Sequence, residues 1–250
     1  MNDDILISLH RGDTQRFCAN SFAAIQATWS LGFMPEVDVR LTKDNILVLA
    51  HDDGIRDICQ GAPRLNISQL TYKELATHPL CSGDAVSQPI PQLSTIIEQM
   101  RLTKSRRVLL DVKIEEAYPV IFQSVGNAEV ASQTHFLVNS VDQARMIKKA
   151  LPTASVHLLF RHWSKLIEKS LKDPSISSIV YTSAGGLIDK TISRPQDAGF
   201  KHLCDLAKKH KKRFGVVMLD PSIDKTLMRD LKKVGVTFFG LVSHKSCFDK

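Results

Sequence analysis

The chain has 250 residues, of which 43% are hydrophobic and 24% are charged, and its formal net charge is +7 at pH 7. This length and composition are typical of a globular protein with one α/β domain or two smaller ones. No apolar run is long enough to span a membrane, and the acidic start of the chain, Met1–Asp4, does not resemble a secretory signal, so stable membrane insertion is not expected.

A short strand and a helix are the first predicted elements. The apolar run Ile5–Leu9 predicts a buried strand, and His10-Arg11-Gly12 follows it as a loop. Asn20 or Ser21 can cap the next helix, which is expected to end at Gly32.

The stretch from Glu36 to Leu41 alternates charged and apolar residues, which predicts a strand with one apolar face. Glu36 and Asp38 then lie side by side on the other face, where a shared divalent cation would offset their repulsion. The turn-forming residues Lys43-Asp44-Asn45 predict a hairpin that returns His51 beside the carboxylates. There its imidazole could move protons near neutral pH. The alternative is an exposed strand face with ordinary surface charge.

Residues 53–92 are expected to be irregular, with one short helix at Tyr72–Thr77, and to form either a functional lid or a small insertion. Strands and helices alternate along the rest of the chain. The predicted strands are Val108–Lys113, Phe136–Val138, Val156–Phe160, Ile179–Tyr181, Gly215–Leu219 and Thr237–Val242. The predicted helices are Leu93–Met100, one capped by Ser140 and ending before Pro152, Trp163–Leu171, Leu203–His210, and one capped by Ser222 and ended by Gly235.

Eight strands with helices between most of them predict a (β/α)₈ barrel: one domain over residues 1–250, with a hairpin extension after strand 2 and an irregular insertion at about 53–92. An open doubly wound sheet is the main alternative, but no glycine-rich dinucleotide or phosphate-loop signature follows any strand. Barrel active sites lie at the C-terminal ends of the strands. The side chains expected at that rim are His10, Glu36, Asp38, His51, Asp111 and Lys113.

The run Lys208–Arg213 concentrates positive charge. Such a run can bind nucleic acid or an anionic membrane, but cations are also favoured at the C-terminal end of a helix. Because Leu203, Leu206 and Ala207 precede it at helical spacing, we interpret it as a helix end and expect no nucleic-acid partner.

The five cysteines are odd in number and scattered, and no Cys-x-x-Cys pair occurs. Neither a disulfide framework nor a zinc site is therefore indicated, and reduced thiols in a cytoplasmic protein are expected. They are Cys18, Cys59, Cys81, Cys204 and Cys247.

Four motifs together resemble the glycerophosphodiester phosphodiesterases. They are His10-Arg11-Gly12, Asn20-Ser21, Glu36-x-Asp38-x-x-Leu41-Thr42-x-Asp44 and His51-Asp52, and Arg56, Ile90-Pro91-x-Leu93 and Val112-Lys113 agree with them. The resemblance is dense up to Lys113 and loose afterwards. It implies a (β/α)₈ barrel that uses a divalent cation to hydrolyse glycerophosphodiesters, small molecules of lipid and glycerol metabolism, to glycerol 3-phosphate and an alcohol.

The resemblance also implies a metal site. Glu36, Asp38 and Asp111 correspond to the ligands of one cation, and an oxygen-only site suits Mg²⁺ or Ca²⁺. Asp111 stands where the family has a glutamate, so it keeps the carboxylate but is shorter by one methylene.

The catalytic roles are likewise implied by the resemblance. His10 and His51 correspond to the general acid and general base, and Arg11 and Lys113 would hold phosphate oxygens. The other histidines, including His135, are interpreted as structural. The roles implied for these two histidines and for Arg11 and Lys113 suit an anionic phosphodiester, which needs positive charge around it and a proton for the leaving alkoxide.

Three departures concern the substrate more than the chemistry: Cys18-Ala19-Asn20, Met218-Leu219-Asp220 and Phe239–Ser243 replace family motifs. One alternative is therefore a phosphodiesterase or lyase of the same fold acting on a lysophospholipid or another phosphodiester, which the mostly polar segment 53–92 disfavours. Another is a non-catalytic protein that binds phosphate ligands or nucleic acid, which the intact histidines and carboxylates disfavour.

Overall fold

The structure is a computed structural model that describes residues 5–58, 64–78, 80, 88–161, 165–182, 198–218 and 225–241. Its strands are β1 Leu6–Leu9, β2 Met34–Leu41, β3 Leu47–Leu49, β4 Val108–Val112, β5 Thr134–Val138, β6 Ser155–Phe160, β7 Ser178–Thr182, β8 Arg213–Met218 and β9 Phe238–Leu241. Its α-helices are α1 Phe22–Ser30, α2 Ile55–Ile58, α3 Tyr72–Leu75, α4 Leu93–Leu102, α5 Ala117–Asn127, α6 Val141–Ala150, α7 Lys165–Ser170, α8 Ala198–Lys209 and α9 Lys225–Lys233.

Eight of these strands are parallel and close into a barrel. Going round the barrel, β1 is followed by β2, β4, β5, β6, β7, β8 and β9, and β9 pairs again with β1. The predicted (β/α)₈ barrel is therefore confirmed. The ninth strand, β3, pairs antiparallel with β2 outside the barrel, with Val39 opposite Leu49, and forms the predicted hairpin extension.

The period of two on β2 separates its two faces. Val37 and Val39 are fully buried in the large hydrophobic cluster to which the helices also contribute. Glu36 and Asp38 take the opposite face, towards the barrel interior. Because β4 runs parallel to β2 with Asp38 opposite Asp111, the third predicted ligand comes to the same level of the barrel.

A separate cluster of apolar side chains fills part of the barrel interior. Leu6, Leu109 and Phe238 belong to one buried cluster. Gly215 makes room for Phe238, because a Cβ atom at Gly215 would lie 2.6 Å from the phenylalanine ring. The interior is therefore a packed core and leaves the C-terminal rim as the place for a site.

Two histidines inside the barrel bind each other, as expected for structural residues. Nδ1 of His135 lies 2.8 Å from Nε2 of His157, and the rings stack with centroids 5.1 Å apart. Nδ1 of His157 lies 2.5 Å from Oγ of Ser178 on the next strand. This chain of hydrogen bonds satisfies polar groups that burial would otherwise leave unpaired.

The described part of segment 53–92 packs as a small insertion with its own hydrophobic cluster. Ile55, Ile67 and Leu75 pack there with Val48 of β3. Helix α2 was not predicted, and α3 ends at Leu75, before the predicted Thr77. These four-residue helices are too short to show a hydrophobic period.

Most other predicted elements agree with the structure to within a few residues. The Ser140 cap is confirmed, because its side chain accepts a hydrogen bond from the Gln143 backbone N–H. Helix α5 was not predicted. Ser222 and the predicted end of the last strand, Val242, lie outside the described residues.

The basic run Lys208–Arg213 is a helix end, as interpreted from the sequence. Helix α8 ends at Lys209, Lys211 has a left-handed backbone with φ of 56°, and Arg213 begins β8. The Lys212 ammonium donates to the carbonyl oxygens of Asp173, at 3.0 Å, and of Ile176.

The prediction that all thiols are reduced is wrong at Cys18, which is disulfide-bonded, whereas Cys204 is a buried free thiol. A scattered cysteine count cannot reveal this, because folding can pair cysteines that are far apart in sequence. The remaining cysteines lie outside the described residues. Among the residues that the structure describes, no helix is long and apolar enough to cross a membrane.

Candidate active site at the C-terminal rim

Three carboxylates meet at the rim of the barrel. One oxygen of each of Glu36, Asp38 and Asp111 lies within 4.8 Å of the others. Glu36 and Asp38 are buried, and Asp111 is partly exposed. The three ligands expected from the sequence are therefore brought together, and their oxygen-only donor set suits a hard divalent cation.

Asp38 is held on both sides by other polar groups. Asn20 donates from Nδ2 to Asp38 Oδ2 at 2.9 Å and accepts the Asp38 backbone N–H at 3.1 Å. Arg11 Nε lies 3.2 Å from the same carboxylate, and Lys113 Nζ lies 2.8 Å from its other oxygen. Burial alone would raise the pKa of Asp38, but Lys113, Asn20 and Arg11 outweigh burial and hold that pKa below its usual range.

Glu36 is in a less favourable environment for a charge. Its Oε2 accepts a hydrogen bond of 2.9 Å from the Arg11 backbone N–H. Burial, and then the charges of Asp38 and Asp111, nevertheless raise the pKa of Glu36 well above its usual value. Repulsion of this kind is what a bound divalent cation would relieve, so the residues present fit such an ion.

The backbone that presents Arg11 to Glu36 has an unusual conformation. Arg11 has φ of 58°, in the left-handed region, and Gly12 follows with φ of 84°. A Cβ atom at Gly12 would lie 2.8 Å from Cβ of Ala24 on α1. The tight contact between this loop and α1 thus fixes the N–H group that binds Glu36.

Lys113 bridges two carboxylates. Its ammonium lies 2.6 Å from Asp111 Oδ2 as well as 2.8 Å from Asp38 Oδ1. Burial would lower the pKa of Lys113, but these two carboxylates outweigh burial and raise it, so the side chain is charged. In this structure Lys113 and Arg11, predicted to hold phosphate, therefore contact the acidic cluster.

His10 follows β1 and is partly buried beside the cluster. Its backbone N–H donates to the Leu241 carbonyl at 2.7 Å, which ties it to β9. Burial, with the nearby Arg11 guanidinium, lowers the pKa of His10 to about 4. The imidazole is consequently neutral at pH 7 and able to accept a proton. His51 is also close enough to contribute to this lowering.

His51 follows β3 and is more exposed, with 40% of its side chain accessible. The Ala50 backbone N–H donates to the Asp38 carbonyl at 3.0 Å, which joins this segment to β2. Nδ1 of His51 lies 2.9 Å from Oδ1 of Asp52, so we assign the Nδ1–H tautomer, which leaves Nε2 for a substrate.

Three residues near the site have contacts that the sequence did not predict. Asn20, expected as a helix cap, instead binds Asp38, and Ser21 caps α1 by accepting the Ala24 N–H. Asp52 binds His51, and Arg40 binds the His51 carbonyl. The period of two could have indicated Arg40, because it continues the face of Glu36 and Asp38.

A closed parallel barrel whose rim combines three convergent carboxylates with two histidines defines the general class: a (β/α)₈ enzyme with a site suited to a divalent cation and to proton transfer. The chain belongs to the glycerophosphoryl diester phosphodiesterase family, whose sequence model matches residues 10–164. Every site residue named above lies in that range.

Individual relatives agree with this assignment. A glycerophosphodiester phosphodiesterase of Caldanaerobacter subterraneus subsp. tengcongensis is 26% identical over 166 residues, which cover 62% of this chain and 67% of the relative. A glycerophosphodiester phosphodiesterase structure from Parabacteroides distasonis has a TM-score of 0.73 at 22% identity, covering 97% of this chain and 94% of that one. An Oleispira antarctica phosphodiesterase, solved with the product sn-glycerol-3-phosphate, has a TM-score of 0.71 at 15% identity, covering 97% and 94%.

Proposed function

We propose that this protein hydrolyses glycerophosphodiesters to glycerol 3-phosphate and an alcohol, with one Mg²⁺ or Ca²⁺ held by Glu36, Asp38 and Asp111. The single observation that carries the proposal is the convergence of the three carboxylates, each with one oxygen within 4.8 Å of the others, on a rim that also carries His10 and His51. Family membership supports the reaction, and the sn-glycerol-3-phosphate bound to the Oleispira antarctica phosphodiesterase supports the product.

The charges around the site suit a phosphodiester. A bound cation would supply charge stabilisation for a phosphate oxygen. Lys113 and Arg11 already lie at the cluster, 2.8 and 3.2 Å from Asp38, so small side-chain movements would let them contact the other phosphate oxygens. These cations would stabilise the negative charge that builds up as the phosphorus–oxygen bond breaks.

The two histidines suit the proton transfers. Neutral His10 would accept a proton of the attacking water as the water oxygen bonds to phosphorus. His51, with its Nδ1–H held by Asp52, would carry a second proton on Nε2 in the substrate complex. It would give that proton to the leaving oxygen as the bond between that oxygen and phosphorus breaks, and would return to its neutral Nδ1–H form. His10 thus gains one proton and His51 loses one. Acid–base assistance of this kind contributes about 10²–10⁴-fold to a rate.

The decisive experiment measures glycerol 3-phosphate released from glycerophosphocholine and glycerophosphoglycerol, with Mg²⁺, with Ca²⁺ and with EDTA. We expect cation-dependent release, abolished by EDTA and reduced at least about 10²-fold by His10→Ala or His51→Ala. His202→Ala is the matched control, because His202 is exposed on α8, and its activity should equal that of the wild type.

Absence of release from both substrates with either cation would reject the proposal. Lysophosphatidylcholine is included as a second substrate class. Faster cleavage of that lipid than of the glycerophosphodiesters would assign the same site to a different substrate.

We also propose a place in lipid and glycerol metabolism, because the substrate is a deacylated phospholipid and the product is glycerol 3-phosphate. The cytoplasmic location remains a prediction. It relied in part on the expectation of reduced thiols, which Cys18 does not meet.

A further inference from the structure

Arg40 makes a paired contact with the segment that carries His51. Its guanidinium donates from Nε at 2.9 Å and from Nη2 at 2.8 Å to the His51 carbonyl oxygen. Arg40 lies on β2, two residues beyond Asp38, and its side chain is partly buried. A hydrogen bond from a charged donor is shorter and stronger than one between neutral groups.

The place of this contact matters because the β2–β3 ladder ends just before it. The ladder pairs Val39 with Leu49, and the Ala50 N–H still reaches the Asp38 carbonyl. Beyond that point, Arg40 makes the only hydrogen bonds that the structure records between His51 backbone atoms and other described residues. The guanidinium therefore joins the His51 backbone to β2 at a residue that the ladder itself does not hold.

We propose that Arg40 is a positioning residue, which fixes the His51 backbone so that its imidazole faces the carboxylate cluster. This inference depends on the proposed function. Asp52 sets the rotation and tautomer of the ring through Nδ1, and Arg40 sets the position of the residue that carries the ring. Strand β2 thus supplies two of the proposed metal ligands and also Arg40, which binds the His51 backbone.

The test compares Arg40→Met with the wild type. Arg40→Met keeps an unbranched apolar side chain close in size to the apolar part of arginine, and it removes both donors to His51. We expect kcat to fall about 10- to 100-fold, since small misplacements of a reacting group have effects of this size. The KM and the Ca²⁺ affinity from calorimetry should stay within about twofold, because the substrate and metal contacts are unchanged.

Two further variants sharpen the comparison. Arg40→Lys keeps the charge and one donor and should recover part of the lost kcat. Arg145→Met is the matched control, because Arg145 on α6 is exposed and pairs only with Asp142 and Asp173 among the described residues. Its kcat and KM should equal those of the wild type.

A double-mutant cycle with His51→Ala separates positioning from the alternatives. If Arg40 acts through His51, Arg40→Met should lower kcat little further once His51 is absent. A loss of similar size in both backgrounds would overturn the inference, as would a wild-type kcat in Arg40→Met. So would a raised KM or a weakened Ca²⁺ affinity, which would assign Arg40 to substrate contact or to general folding.

A readout without turnover distinguishes this inference from the proposed function. In ¹⁵N NMR spectra of the histidine rings, the His51 ring should give one sharp set of signals in the wild type. These signals should be shifted or broadened in Arg40→Met, because the ring then samples several positions relative to the carboxylates. If the wild type hydrolyses no glycerophosphodiester, the proposed function fails, and an unchanged His51 signal in Arg40→Met then overturns the positioning role as well.

Discussion

At Glu36 the stability of the folded protein conflicts with the proposed role in cation binding. The residue is 6% exposed and its carboxyl group shares the rim with two other carboxylates. Burial, with the charges of these carboxylates, raises the pKa of Glu36. A raised carboxyl pKa means that the folded state loses stability as the pH rises through that value. The cost is present at neutral pH without a cation, and a bound cation removes it.

Glu36→Gln should therefore stabilise the cation-free protein and abolish cation binding. We expect a gain of about 1 kcal/mol or more in the free energy of unfolding, which corresponds to about 2–4 °C in Tm for a chain of this size. The gain should be larger at pH 8 than at pH 5. Melting curves in EDTA measure it, with the exposed Glu168→Gln on α7 as control. A lower Tm for Glu36→Gln would contradict this account.

The loop between β1 and α1 is the element on which the site depends most. It supplies the Arg11 backbone N–H to Glu36 and the Asn20 side chain to Asp38, at 2.9 Å in both cases. Its shape depends on Gly12, which combines φ of 84° with a close approach to Ala24 on α1. A change at Gly12 should thus affect the carboxylate cluster without altering any of its members.

Gly12→Ala is predicted to cost stability and to weaken Ca²⁺ binding at least several-fold. Gly32→Ala is the matched control, because Gly32 has a similar φ of 76° but no neighbour within 4 Å of an added Cβ. Both variants carry the backbone strain of about 1–2 kcal/mol, but only Gly12→Ala adds a steric clash and displaces Arg11. Denaturant unfolding and calorimetry should separate them, and equal Ca²⁺ affinities in the two variants would refute the role given to the loop.

Prediction from the sequence succeeded for elements with a clear hydrophobic periodicity. It failed for short helices and for side-chain contacts that depend on tertiary structure. Strand β2 was predicted correctly because alternation is a local property, and the barrel followed from repeated strand–helix units. Helix α5 was not predicted, and the short α2 has too few residues for a period. The contacts of Asn20 and Arg40 join segments that meet only in the fold. The period of two indicates the face of β2 on which Arg40 lies, but no local pattern reveals its partner.

The interior of the molecule carries a pH dependence separate from the site. Burial, with Arg213 nearby, lowers the pKa of His157 to about 3, and burial also lowers that of its partner His135 well below its usual value. In the unfolded chain both would titrate near pH 6.5. As the pH falls below that value, the unfolded state gains protons that the folded state does not accept, so stability is lost.

From His157 alone we expect a loss of about 2 kcal/mol in the free energy of unfolding between pH 7 and pH 5. Urea unfolding at both values, compared with His157→Gln, isolates this contribution from that of other groups. The variant should be less stable at pH 7 but should depend less on pH. Parallel pH profiles for the two proteins would show that the buried pair is not responsible.

The hairpin and the β1–β9 seam of the barrel give the two histidines of the proposed reaction very different entropic costs of loop closure. Val39 and Leu49 are 10 residues apart, whereas β1 and β9 meet at Leu6 and Phe238, which are 232 apart. The entropic cost of closing a loop of n residues grows as (3/2)RT ln n. Bringing β1 and β9 together therefore costs about 3 kcal/mol more than closing the hairpin. His51 and the carboxylates of β2 can therefore assemble through a local turn, whereas the hydrogen bond from the His10 backbone N–H to Leu241 forms only when the two ends of the chain meet.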